Sequence, residues 1–135
     1  MNWKFIFQLS LFGLAMAAAT VFWIPGNVEL FFWLPIFIFC AYLIAKNCTG
    51  KYFLHGFMVS VFNCVWITSA HILFYNTYIA NHPQEAQMMA SMPMPDSPRL
   101  MMLIGGPFFG ILFGLILGLF AFVAARIVNK QPDAQ

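Results

Sequence analysis

Four long apolar runs, almost free of charge, restrict this chain more than any other feature. The first, residues 5–24, is 20 residues long; at about 1.5 Å of rise per residue, a helix of that length matches a hydrocarbon layer of about 30 Å. The others cover about 28–45, 52–80 and 100–128, and the second has no charged side chain from Leu30 to Ala45. Inside a bilayer the backbone must satisfy its own hydrogen bonds, so each run is expected to be a helix. A water-soluble domain of 135 residues would need a charged shell, which six Lys and Arg with four Asp and Glu do not supply. The expected fold is all-α: an integral membrane four-helix bundle, one transmembrane domain over residues 1–135, with the lipid bilayer as its first partner.

The connections set the path. Trp3 and Trp23 stand at the two ends of the first run, where interfacial aromatics belong. Lys4, the apolar core and Ala15-Met16-Ala17 also fit a signal peptide, but the run continues through Val21-Phe22-Trp23 past that site, so a retained span is expected. Pro25-Gly26-Asn27 ends the first helix, and Pro35 removes one backbone bond from the second. Lys46-Asn47-Cys48-Thr49-Gly50-Lys51 is a short polar connection, too close to the membrane for its glycosylation pattern to matter. The third run of about 30 residues is about 45 Å long as a helix, so it is expected to tilt or protrude. Residues 81–98, with Pro83, Pro93, Pro95 and Pro98, form the exterior loop, which carries one or two helical turns after Pro83.

Orientation follows from the basic residues. With four antiparallel spans, Lys4, Lys46, Lys51, Arg126 and Lys130 share one side, while Arg99 lies opposite with Glu29, Glu85 and Asp96. That bias predicts an N-in/C-in protein whose methionine-rich loop faces the periplasm or exterior, in a bacterial cytoplasmic (inner) membrane.

Three groups of residues are candidates for a role. At about 100° per residue, Ser60, Cys64, Thr68, His71, Tyr75, Tyr78 and His82 fall within about 80° of one another on the third helix, with Asn63 about 60° aside. Such a polar seam faces protein or water rather than lipid, and His71 within it is suited to carry a proton, bind a ligand or specify packing. Coupled proton transport would call for an acid in the membrane on a facing helix, and none is expected within the membrane-embedded part of a span. The second group is Gly106, Gly110, Gly114 and Gly118, a ladder at four-residue spacing that lets another backbone approach. Gly13 and Ala17 of the first helix, or the same helix of a second subunit, are its expected partners. The third group is Met88, Met89, Met92 and Met94, preceded by His82 and followed by Met101-Met102. Thioethers are soft ligands suited to Cu(I), and the segment is similar in composition to the copper-collecting segments of copper importers; it is equally suited to lie as an apolar face on the bilayer. Cys40, Cys48 and Cys64 show no CxxC spacing and are read as small hydrophobic residues.

The layout also resembles a family. A basic glycine-containing turn (Thr49-Gly50-Lys51) opens the third helix, Tyr75-Asn76-Thr77-Tyr78 and Asn81-His82-Pro83 close it, and a methionine-bearing loop precedes a glycine-rich last span. Over roughly 49–130 this is similar to an uncharacterised domain-of-unknown-function family of small four-span bacterial inner-membrane proteins. The resemblance implies a fold and a location but no activity, and it transfers no site residue. No HExxH, GxSxG or phosphate-binding loop is present, so no enzyme is expected. A net charge of +2 without a basic run gives no reason to expect nucleic-acid binding. The expected protein is multi-pass and of structural or accessory type, a homo-oligomer or part of a larger membrane assembly. The alternatives are a small channel or transporter lined by the third helix and, more remotely, a Cu(I)-handling protein.

Overall fold

The computed structural model describes residues 1–128, all of whose regular structure is helical. Lys130, counted above among the basic residues, lies outside the described residues. The helices are α1 (Trp3–Phe22), α2 (Gly26–Asn47), α3 (Tyr52–Leu73), α4 (Tyr75–Asn81), α5 (Pro83–Ala90) and α6 (Pro98–Val128). Four of them, α1, α2, α3 and α6, are long and apolar enough to cross a membrane.

The ends follow from local chemistry. The Asn2 side chain caps α1 by accepting from the Phe5 N–H at 3.1 Å. The N–H groups of Trp23 and Ile24 both reach the Ala19 carbonyl at 2.8 Å, closing α1 ahead of Pro25. Pro25 is extended (φ −72°, ψ 151°), and α2 begins immediately after it. This start is earlier than the sequence pattern suggests, and it places Glu29 inside the first turn of α2. Lys51 adopts the left-handed conformation (φ 52°, ψ 35°) ahead of α3. Its carbonyl accepts from the His55 N–H at 3.0 Å and from the His55 Nδ1–H at 2.9 Å, while Nε2 of the same ring accepts the Asn2 N–H at 3.1 Å. One neutral tautomer of His55 thus ties the start of α1 to the start of α3.

Helix α3 occupies the centre, with α1 on one side and α6 on another. Gly13 leaves the space taken by Asn63, so a Cβ there would collide with the Asn63 side chain. The glycine ladder also meets α3: Thr68 fills the space beside Gly106, Cys64 lies 2.8 Å from a Cβ built on Gly110, Phe57 2.9 Å from one on Gly114 and Phe53 2.8 Å from one on Gly118. The ladder therefore packs within the chain on α3 rather than on Gly13 and Ala17. Its bare backbone admits the larger side chains of α3, and close contact there gains dispersion energy that lipid does not match. The closest approach of backbone to backbone is at Gly56, where a Cβ would stand 2.6 Å from the Leu117 carbonyl oxygen. Below the seam, Ile6, Leu9, Phe37, Cys40, Ile44, Val59, Leu117 and Ala121 form the buried core. Much of the outer surface is apolar, with Phe31 77% and Leu73 76% exposed, as expected of a surface covered by lipid.

The third run is not one helix. Phe74 leaves helical geometry (φ −104°, ψ 33°), separating α3 from α4. A straight helix would hold residues 71 and 78 about 10.5 Å apart along its axis. The break instead lets the rings of His71 and Tyr78 stack at 4.0 Å, and His82 stacks on Tyr78 in turn at 4.2 Å.

Candidate functional site

The upper seam of α3 opens into a cavity of about 510 Å³. Ser60, Asn63, Cys64, Thr68 and His71 line it from α3, and Tyr78 joins them from α4 through the break at Phe74. Gly105, Gly106 and Gly110 present bare backbone from α6, flanked by Phe109 and Phe113. Helix α2 supplies Glu29, Trp33 and Phe37. Met88, Met89 and Met92, with Met101 and Met102, complete the lining with Glu85. Seam, ladder and methionines, three separate patterns along the sequence, meet at one place.

Hydrogen bonds fix several of these groups. Thr20 Oγ1 lies 2.9 Å from the Met16 carbonyl and 3.2 Å from that of Ala17, so its hydrogen is committed to its own helix. The contact of 3.2 Å between Thr20 Oγ1 and His71 Nε2 then has the ring donating. His71 is thereby assigned as the Nε2–H tautomer, with Nδ1 left as an acceptor. The Cys64 thiol donates to the Gly106 carbonyl at 2.8 Å, linking seam to ladder. Trp66 Nε1–H donates to Ser10 Oγ at 3.2 Å, a further polar tie between α1 and α3. The Asn63 amide is buried against Gly13, and neither its nitrogen nor its oxygen has a hydrogen-bond partner.

Two carboxylates stand at the cavity. Glu29 accepts the Trp33 Nε1–H at 2.9 Å. The Glu85 carboxylate occupies the space left by the missing side chain of Gly26, at the first residue of α2, where the helix N-terminus favours negative charge. Among the described residues no Lys or Arg lines the cavity. Arg99 lies instead over the Tyr75 ring, 5.4 Å from its centroid.

The placement differs from the sequence pattern at several residues. Tyr75 does not line the cavity, because the break at Phe74 turns it toward Arg99. His82 is buried behind Tyr78, its Nδ1–H donating to the Tyr78 carbonyl at 2.8 Å and its Nε2 without a partner. Met94 is 38% exposed and also stands apart from the cavity. The methionine set with His82 is thus only partly brought together, and among the described residues no cluster of three or more His, Cys, Asp or Glu is placed to hold a metal. The sequence pattern missed Glu29, Glu85, Trp33 and Phe37. The expectation that no acid faces the seam is corrected: Glu29, in the first turn of α2, lines the same cavity as the seam. The available signal was scarcity, since a chain with four acids places two of them at one cavity. Comparison with protein-family models, with curated proteins and with solved structures finds no match to this chain.

Proposed function

We propose that the chain is a multi-pass protein of a bacterial inner membrane, with four antiparallel spans and both ends in the cytoplasm, whose outward half binds a small molecule as part of a carrier or sensor. The supporting observation is the convergence of the seam, the bare glycine backbone and the methionines on one cavity of about 510 Å³. Ligand pockets occupy roughly 300–1,000 Å³ and combine apolar walls with a few polar groups, as this one does. The cavity does not continue through the bundle, because the Gly56–Leu117 contact and the buried Val59 close the region beneath Ser60. That closure favours binding, or transport by alternating access, over an open pore. One chain forms the cavity alone, so binding needs no second copy, and assembly into a homo-oligomer is a separate proposal.

A purely accessory role would leave the seam dry and packed. The two readings separate by thiol labelling in a background with Cys40, Cys48 and Cys64 replaced by Ala. Thr68→Cys should react with a membrane-impermeant maleimide added from outside, at a rate within about tenfold of Ser91→Cys, while Val59→Cys stays unlabelled. If Thr68→Cys is inert while Ser91→Cys reacts, the seam is packing and the binding proposal fails.

A further inference from the structure

The walls of the cavity say what charge its occupant carries. Glu29 and Glu85 contribute two formal negative charges, and among the described residues no Lys or Arg lines the cavity. Among the described residues neither carboxylate is engaged in an ion pair, and the Arg99 guanidinium lies over the Tyr75 ring. Both carboxylates are only partly exposed. A charge pair in such surroundings is several times stronger than in bulk water, at an effective dielectric of about 20. Around them the lining is aromatic and apolar: Trp33, Phe37, Phe109 and Tyr78 offer ring faces or edges to a cation or flat surface to an apolar body. Methionines complete it, and their unbranched thioethers adapt to irregular shapes.

We infer that the cavity takes an organic cation with a large apolar or aromatic body, the charge held between Glu29 and Glu85 and the body lodged among Trp33, Phe37 and Phe109. This rests on the binding function proposed above and names its ligand class. Size decides against the other cation the lining would suit, a soft metal ion on the methionine sulfurs. A bare ion needs a site no larger than a water molecule, whose share of liquid volume is about 30 Å³, and the cavity is more than ten times that. An anion is disfavoured by both carboxylates, and a strongly hydrated small cation gains nothing from the apolar walls.

The test uses the full chain in lipid nanodiscs, with binding to empty nanodiscs subtracted. The probes are tetraphenylphosphonium, tetraphenylborate as the same shape with opposite charge, and neutral triphenylphosphine oxide. Tetraphenylphosphonium should bind with one-to-one stoichiometry and slow the labelling of Thr68→Cys, and tetraphenylborate should do neither. Glu29→Gln and Glu85→Gln should each weaken the phosphonium by about tenfold or more, with little effect on the neutral oxide. Equal or tighter binding of the oxide or the borate, with protection of Thr68→Cys, overturns the charge assignment while leaving the binding site intact. Stoichiometric Ag(I) binding that is lost on replacing Met88, Met89 and Met92 by Leu, without phosphonium binding, overturns it in favour of a metal site. A position 68 that never labels removes the cavity function itself, which is a different failure.

Discussion

At the scale of single residues, Gly56 carries the tightest constraint on the bundle. The atom that an added Cβ would meet is the Leu117 carbonyl oxygen at 2.6 Å, with its carbon at 2.9 Å and the Gly118 Cα at 3.0 Å. These are backbone atoms held by helix α6, so no rotamer change relieves the contact and the two helices must separate. Gly56→Ala should cost about 1–3 kcal/mol, the usual range for overpacking a tight interface. Gly105→Ala is the control, because nothing lies within 4 Å of its added methyl group. It should be neutral or slightly stabilising, since Ala favours helix by up to about 1 kcal/mol over Gly. Unfolding in detergent with increasing dodecyl sulfate measures both, and equal losses at the two positions would refute the contact.

At the scale of elements, the legible features were those carried by local pattern. Apolar length marked α1, α2, α3 and α6, and Pro83 marked the start of α5 at its first turn. The break at Phe74 was hidden because residues 70–80 contain neither Pro nor Gly. The structure places it where tertiary contacts hold α4: His71 and His82 stack on Tyr78, and Asn81 Nδ2–H donates at 2.8 Å to the Val21 carbonyl near the end of α1. The ladder's period was likewise visible while its partner was not, since four-residue spacing on α6 suits any neighbouring helix. Mobility follows from the same contacts. Helix α5 buries none of its residues, although its methionines reach the cavity, whereas α4 is anchored to α1 and α3. Hydrogen exchange should therefore be at least about tenfold faster at the amides of Gln87 to Ala90 than at those of Tyr78 to Asn81. Tetraphenylphosphonium should slow the α5 amides selectively. Equal exchange in both helices would show that α5 is held by more than these contacts.

At the scale of the whole molecule, the placement of charge bears on the orientation that the fold alone leaves free. A bundle of four apolar helices is equally stable in either orientation across a symmetric apolar layer, because burial is unchanged when it is turned over. The cost of translocating Lys and Arg breaks that equivalence. Lys4, Lys46, Lys51 and Arg126 precede α1's apolar run, follow α2's, open α3 and close α6, so an orientation that keeps all four inside leaves α5 and Arg99 outside. Two thiols read this out: native Cys48, beside Lys46 and Lys51, and Ser91→Cys after α5, each with the remaining cysteines replaced by Ala. In intact spheroplasts an impermeant maleimide should label Ser91→Cys, and Cys48 should react only after permeabilisation. Burial raises the Cys48 pKa, with the positive N-terminus offsetting part of the shift. The reactive thiolate is therefore scarcer there at neutral pH, and its labelling in permeabilised cells should keep rising with pH after that of Ser91→Cys has levelled off. Labelling of Cys48 in intact cells with silence at position 91 would invert the molecule. The cavity would then face the cytoplasm, and any cation it binds would come from within the cell.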